Sequence, residues 1–350
     1  MTDVSEGVSS INESTGHSIK YVGKIGGLLP IAIMNLFLTI ITLGIYRFWA
    51  KTNIRKYLWS QTQLDGEPFE YTGTGGELFM GAIIVFLVFI LPLSIGIIIL
   101  SIYFPVLTPI ILILLYPFFI FLIGVAVYRA QVYRMSRTKW RAVRGAQIPR
   151  SAAYGWLTIK YAVLYFISLG LLMPYIICNM WNFMMDNKRF GSAVFHSDVK
   201  SKPLFKMWLM TYLVVIIVLG GFIFIVSDAF VTQNLPVIIG AYIFLIIAAT
   251  VISAWFQAKL YNHLISGLKF QDVEFEFDLD AIEFLKFSVV NMLLMVFTLG
   301  LAAPFVLQRW VRLFCQNIKV QGQINFDLIE QSPETGPQFG EGLVEAFDLG

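Results

Sequence analysis

The fold is decided by Leu78–Tyr128, LFMGAIIVFLVFILPLSIGIIILSIYFPVLTPIILILLYPFFIFLIGVAVY, 51 consecutive residues without Asp, Glu, Lys or Arg. A helix needs about 20 apolar residues to cross the hydrocarbon core of a bilayer, so this run holds two spans. Tyr103-Phe-Pro105 divides them into 79–103 and 106–128. Only helices and closed barrels satisfy every backbone polar group in lipid. An unbroken apolar run lacks the alternation of a barrel strand. A second pair of spans, Met207–Ser227 and Ala229–Ala258, is interrupted between Ser227 and Pro236.

The whole composition agrees. Of 350 residues, 57% are apolar and 13% charged, with a mean hydropathy of +0.74. Soluble domains carry about 25% charged residues, so a soluble enzyme, a disordered chain and a disulfide scaffold are excluded.

Three shorter uncharged runs remain: Ile25–Tyr46, Tyr161–Met185 and Phe287–Gln308. They resemble one another. Asn35 aligns with Asn291, and Thr42-Leu-Gly44 with Thr298-Leu-Gly300. The middle run offers Ser168-Leu-Gly170, then Pro174, which parallels Pro304. Ala130-Gln-Val-Tyr133 matches Ala258-Lys-Leu-Tyr261. The pattern is an internal repeat with a period of about 128 residues. Its units lie near 25–73, 154–195 and 285–326, around span pairs 79–128 and 207–258. A tail, 1–20, precedes this 21–326 domain, and an acidic tail, 327–350, follows it. The first 20 residues hold no apolar core, so no secretory signal is expected.

Thr42-Leu-Gly-Ile-Tyr-Arg-Phe-Trp-Ala-Lys51, Arg55-Lys-Tyr57, Leu64-Asp-Gly66 and Phe69-Glu-Tyr-Thr-Gly73 together resemble the signature of the YjgN family of bacterial inner-membrane proteins. Arg137-Thr-Lys-Trp-Arg141 resembles that family's second motif, and Gly340-Glu-Gly342 with Asp348 its tail. The resemblance covers roughly residues 20–350. It implies a multi-pass bacterial inner-membrane protein and brings no catalytic residues with it. Gly145-Ala departs from the family, where an aromatic residue is expected.

Charge placement bears on topology. None of the 25 Lys and Arg lies at the tips 103–105 and 227–236, so both tips face out. If the three units also crossed, ten of the 25 would fall outside; if they do not, none does. The preferred reading is therefore an all-α polytopic membrane bundle of four spans plus three re-entrant or surface-lying units. A seven-span chain with inverted repeats is the alternative. All eight Trp lie near charged flanks, and none lies at an outer tip.

The segments between runs carry short cytoplasmic β-hairpins. Val273, Phe275, Phe277 and Leu279 alternate with acids, the period of a half-buried strand. Leu64–Tyr71, Lys188–Phe195 and Lys319–Asp327 read as hairpins turned at glycine. They should pair into one layer, because an isolated hairpin is barely stable in water.

Chemistry is sparse. His17, His196 and His263 are far apart, Cys178 and Cys315 have no metal-ligand spacing, and Gly73-Thr-Gly-Gly76 lacks a P-loop lysine. No enzyme, metal or cofactor is expected. The leads are polar or helix-breaking residues in apolar runs: Asn35, Thr42, Gly44, Ser168, Gly170, Pro174, Asn291, Thr298, Gly300 and Pro304, with Asn179 and Asn182. Such groups either stitch helices together or line a pathway. The basic stretch Arg129–Arg150 suggests anionic-lipid contact through Arg134, Arg137, Lys139, Arg141 and Arg144. The acidic tail suggests a protein partner; nucleic acid is not expected. A transporter or pore, a scaffold or assembly factor, and a lipid-interacting envelope protein all fit. Transport is preferred because repeats with broken helices are common in transporters.

Overall fold

The computed structural model describes residues 16–322 and 329–331. It is mostly helical. Four helical segments are long and apolar enough to cross a membrane: Gly75–Tyr103, Leu107–Arg137, Lys202–Val231 and Leu235–Ser266. The first is interrupted. After α3 (Gly75–Val85) comes one π turn, Phe86–Ile90, and then α4 (Leu91–Tyr103). The cause is Pro92, which has no N–H and crowds the carbonyl four residues back. The helix widens there, and Leu91 donates to Phe86, five residues back. The other three spans are α5 (Leu107–Arg137), α8 (Lys202–Val231) and α9 (Leu235–Ser266).

Two boundaries differ from the sequence reading. The helix that follows Lys202 runs through Ser227 and Asp228 to Val231, so the second tip is only 232–234. The helix α5 continues nine residues beyond Tyr128, because that end is held by protein. There Tyr133 is fully buried against Phe48, Leu78 and Ala82.

Each of the three shorter runs is a pair of helices. They are α1 (Ile25–Ile41) with α2 (Arg47–Gln61), α6 (Ser151–Ile167) with α7 (Met173–Asp186), and α10 (Ala281–Phe297) with α11 (Ala303–Asn317). The first pair is antiparallel. Asn35 Nδ2 donates to Ala50 O near the turn, and the Tyr57 hydroxyl donates to Lys24 O at the open end.

The strands form more than separate hairpins. Twelve are described: β1 (Gly16–His17), β2 (Ile19–Tyr21), β3 (Thr62–Leu64), β4 (Glu67–Pro68), β5 (Glu70–Tyr71), β6 (Thr138–Trp140), β7 (Val143–Gln147), β8 (Lys188–Phe190), β9 (Ala193–Ser197), β10 (Leu268–Phe270), β11 (Val273–Phe277) and β12 (Ile318–Gln321). Nine join one sheet in the order β1-β12-β11-β10-β9-β8-β7-β6-β5, and β2-β3-β4 form a second. Residues 16–20, assigned to a tail from sequence, are mostly strand. Their partners lie at 62–64 and 318–321, too far along the chain for a local pattern to show. The hairpin expected at 319–327 is described only as far as Gly322, and of the acidic tail only 329–331 is described.

Strand pairing ties together the two ends of every helical segment. The flanks of α1–α2 meet as β2 and β3, and those of α3–α5 as β5 and β6. The flanks of α6–α7 meet as β7 and β8, those of α8–α9 as β9 and β10, and those of α10–α11 as β11 and β12. Helix contacts follow the same order. The helix α2 touches α3, α5 touches α6, α7 touches α8 and α9 touches α10. Then α11 reaches back to α1, α2 and β2.

A large apolar cluster forms where helix ends meet the sheet. Phe284, Phe287, Trp310, Phe314 and Tyr261 form one aromatic cluster there. The spans themselves are open rather than bundled: only 6–11% of their most apolar windows is buried. Apolar side chains gain little by leaving lipid for protein, so nothing forces those faces together.

Candidate functional site

The three Leu-Gly turns have one backbone. Leu43, Leu169 and Leu299 have φ of 52°, 51° and 50°, and Gly44, Gly170 and Gly300 have φ of 92°, 82° and 85°. Each glycine N–H bonds a carbonyl five residues back: Thr39, Tyr165 and Met295. The residue opening each turn caps both helices. Thr42 Oγ1 donates to Leu38 O and accepts from the Tyr46 N–H. Thr298 Oγ1 donates to Leu294 O and accepts from the Ala302 N–H. Ser168 Oγ does the same with Tyr165 O and the Leu172 N–H. Pro174 and Pro304 then sit in the first turn of the following helix, where no N–H is missed.

Exposure makes these turns unusual. Leu43 is 93% exposed, Leu169 77% and Leu299 92%. A non-glycine residue at positive φ is uncommon. Here a large apolar one recurs at the tip of each helix pair.

Two of the asparagines singled out in sequence reach across to the partner helix. Asn35 Oδ1 accepts from Asn53 Nδ2 at 3.0 Å, and Asn291 Oδ1 accepts from Arg309 Nε at 2.8 Å. In both cases the donor lies 18 residues later. The same spacing in the middle unit joins Tyr161 and Asn179 in register only; Asn179 Nδ2 bonds Tyr175 O instead. Asn182 holds Val199 through both its N–H and its C=O, and also accepts from Ser197 Oγ. Asn262 holds Leu279 in the same two-bond way. Sequence reasoning missed Asn53, Arg309 and Asn262. The repeat register was the signal that could have found the first two.

The basic stretch is partly neutralised from outside itself. Arg137 forks onto Glu77 through Nε and a terminal nitrogen, each at 3.1 Å, and the Tyr133 hydroxyl donates to the same carboxylate. Arg141 Nε donates to Glu67 at 2.9 Å and stacks over Trp140. Lys139 lies opposite Glu70 and Arg144 in the sheet, and the Arg144 N–H donates to Gln331. Arg134 bonds Ala130 O. So Arg137 and Arg141, two of the five residues read from sequence as lipid contacts, are each tied to a carboxylate. A count of charges within 129–150 cannot see acids that arrive from 67 and 77. Gly145 is explained as well. A Cβ there would lie 2.8 Å from Met135 O, so no aromatic ring fits. Gly73-Thr-Gly-Gly76 leads into the first span, where Thr74 Oγ1 caps the Glu77 N–H.

A second cluster lies where α10 and α11 meet the start of the chain. Arg312 donates to Gly23 O at 2.7 Å and its guanidinium stands over the Tyr21 ring. Burial pushes the Tyr21 hydroxyl up to about 12, with Gln308 and Arg312 opposing the shift. The side chain of Gln308 is 2% exposed. Among the described residues, seven buried side-chain polar atoms lack a hydrogen-bond partner. Four of them are here: the Tyr21 hydroxyl, both amide atoms of Gln308 and Asn291 Nδ2. A cavity of about 710 Å³ opens between Ile25 and the α10–α11 turn, lined by Leu294, Phe297, Phe305, Gln308, Arg309 and Arg312 among others.

A family profile for bacterial proteins of unknown function (DUF898) matches residues 16–346. The chain belongs to this family. Curated relatives carry the name inner membrane protein YjgN. One from Salmonella typhimurium is 39% identical over 87 residues, a quarter of this chain and 22% of the relative. Two from Escherichia coli are 37% identical over 68 and 67 residues, 19% of this chain and 17% of each relative. The match thus spans about a fifth of the length of those relatives. No solved structure matches the chain. With four membrane-spanning helices and these relatives, the chain is a multi-pass inner-membrane protein.

Proposed function

We propose that this protein is a non-enzymatic, lipid-interacting component of the inner membrane, and that its three helix pairs are re-entrant hairpins derived from one repeated unit. The observation that carries the reading is the trio of exposed leucines at Leu-Gly turns of one backbone. A large apolar tip held at positive φ has no use in water; within acyl chains it is solvated. Strand pairing supports the topology. Both flanks of each pair enter the same β layer, which needs an even number of crossings. Positive charges confined to that side support a cytoplasmic layer with the tips 104–106 and 232–234 outside. A solute pathway has less support, because Asn35 and Asn291 are engaged in cross-links between helices.

The test is a set of single cysteines at Leu43, Leu169 and Leu299, with Gln233→Cys marking the outer tip, after Cys178 and Cys315 are replaced by alanine. In intact cells a membrane-impermeant maleimide should label Gln233→Cys alone. A bimane at each leucine position should be quenched by nitroxide-labelled acyl chains in reconstituted vesicles. Labelling of the leucine positions from outside, at the level of Gln233→Cys, would mean that the units cross and the reading fails.

A further inference from the structure

The junction of α11 with the start of α1 has the make-up of a ligand site. Arg309 and Arg312 are three residues apart on one helix and therefore share a face. Arg309 uses Nε on Asn291, and Arg312 uses one terminal nitrogen on Gly23 O. No carboxylate forms a salt bridge with either among the described residues. A second cavity, about 300 Å³, is lined by the same two arginines together with Glu283 and Lys286. Opposite the charges the larger cavity is apolar, running along Leu294, Phe297 and Phe305 to the exposed tip at Leu299. Arg312, which lines it, bonds Gly23 O and stands over the Tyr21 ring of β2.

Gln308 lines this cavity and is buried; the Tyr21 hydroxyl lies beside its amide, yet neither amide atom makes a well-aligned hydrogen bond. A buried amide left short of good hydrogen bonds is costly, so its presence beside a cavity asks for an explanation, a bound ligand among them. Two guanidinium groups at the layer end fit a phosphate, which Arg binds through paired N–H groups. The apolar wall fits an acyl chain, and the volume lies within the ordinary range for ligand pockets.

We infer that the junction of α10, α11 and the start of α1 binds one anionic phospholipid. Its phosphate lies at Arg309 and Arg312, its ester region meets the Gln308 amide, and a chain runs along Leu294, Phe297 and Phe305. This deepens the lipid-interacting reading and rests on it by naming the headgroup class and the site.

The test uses the full chain, purified and placed in phosphatidylcholine bilayers doped with phosphatidylglycerol. Bound lipid is counted by native mass spectrometry, with inorganic phosphate as competitor. Arg309→Gln and Arg312→Gln should each lower phosphatidylglycerol retention about fivefold, the weight of one cation at a membrane surface. Leu294→Trp fills the cavity without changing charge and should lower retention as well. Gln308→Leu should lower retention while raising the thermal stability of the lipid-free protein. Lys200→Gln with Lys202→Gln removes two surface charges elsewhere and should leave retention unchanged. Three results overturn the site: the surface pair lowering retention as much as the arginine variants, Leu294→Trp having no effect, or phosphate displacing the lipid. Labelling of the three leucine positions from outside, with retention still dependent on Arg309 and Leu294, would refute the re-entrant reading and leave this site standing.

Discussion

Arg137→Gln should destabilise the protein by about 2–3 kcal/mol, and Arg141→Gln by about 0.5 kcal/mol or less. The difference comes from burial and geometry. The Arg137 and Glu77 side chains are 17% and 28% exposed, and the guanidinium makes two bonds to the carboxylate. Removing one partner of a fully buried pair costs about 3–5 kcal/mol, and partial exposure scales that down. Glu77 would also keep the Tyr133 hydroxyl while losing its counter-charge. Arg141 and Glu67 are 42% and 49% exposed and share one bond, in the range where surface pairs contribute about 0–1 kcal/mol. Arg137→Lys should recover little, since a lysine cannot reproduce the two-pronged contact. The assay is equilibrium unfolding in mixed micelles, with Glu77→Gln and the double variant closing a thermodynamic cycle. If Arg137→Gln and Arg141→Gln lie within about 0.5 kcal/mol of each other, the assignment of Arg137 to a structural ion pair is wrong. A drop in bound anionic lipid for Arg137→Gln without loss of stability would return it to the lipid-facing set.

Other outcomes are equally direct. Gly44→Ala and Gly300→Ala should each cost about 1 kcal/mol in thermal-stability measurements, from backbone strain alone, because a Cβ at either position meets no atom within 4 Å. Gly96→Ala, in a helix interior with open space, should instead stabilise by up to about 1 kcal/mol. Asn262→Leu strands the N–H and C=O of the buried Leu279 and should cost about 2–4 kcal/mol by denaturant titration. Burial and the nearby charge of Arg134 lower Lys188 to about 8. Between that value and the ordinary lysine range the unfolded chain binds the extra proton, so stability should rise as pH rises above about 8. Lys188→Met should abolish that rise in unfolding curves taken across the interval.

How much was legible depended on the reach of each signal. The spans at 79–128 and 207–258 were readable because lack of charge is a local property, and helices able to span cover both. The Thr/Ser-Leu-Gly centres were found as breaks. The reason a hydroxyl opens each one, bonding the helix before it and the helix after it, needed coordinates. Strand partners were out of reach, since β1 finds β12 across almost the whole chain. In the basic stretch, a local charge count could not show the acids at 67 and 77 that fold onto it. The Gln308 cluster left no trace in the sequence. A glutamine at the end of an apolar run is ordinary, and only its burial beside Tyr21 sets it apart.

The nine-stranded sheet starts and finishes with strands that flank the first helix pair: β5 is at one edge and β1 at the other. Its growth can follow synthesis from β5 through β11 as each helical segment is delivered. The N-terminal strand β1, made first, has no partner until β12 emerges some three hundred residues later. The last ladder to close therefore joins the two ends of the described chain. Loss of the segment from Ile318 to Gln321 would remove the strand that β1 pairs with, while the ladders from β5 through β11 do not depend on it.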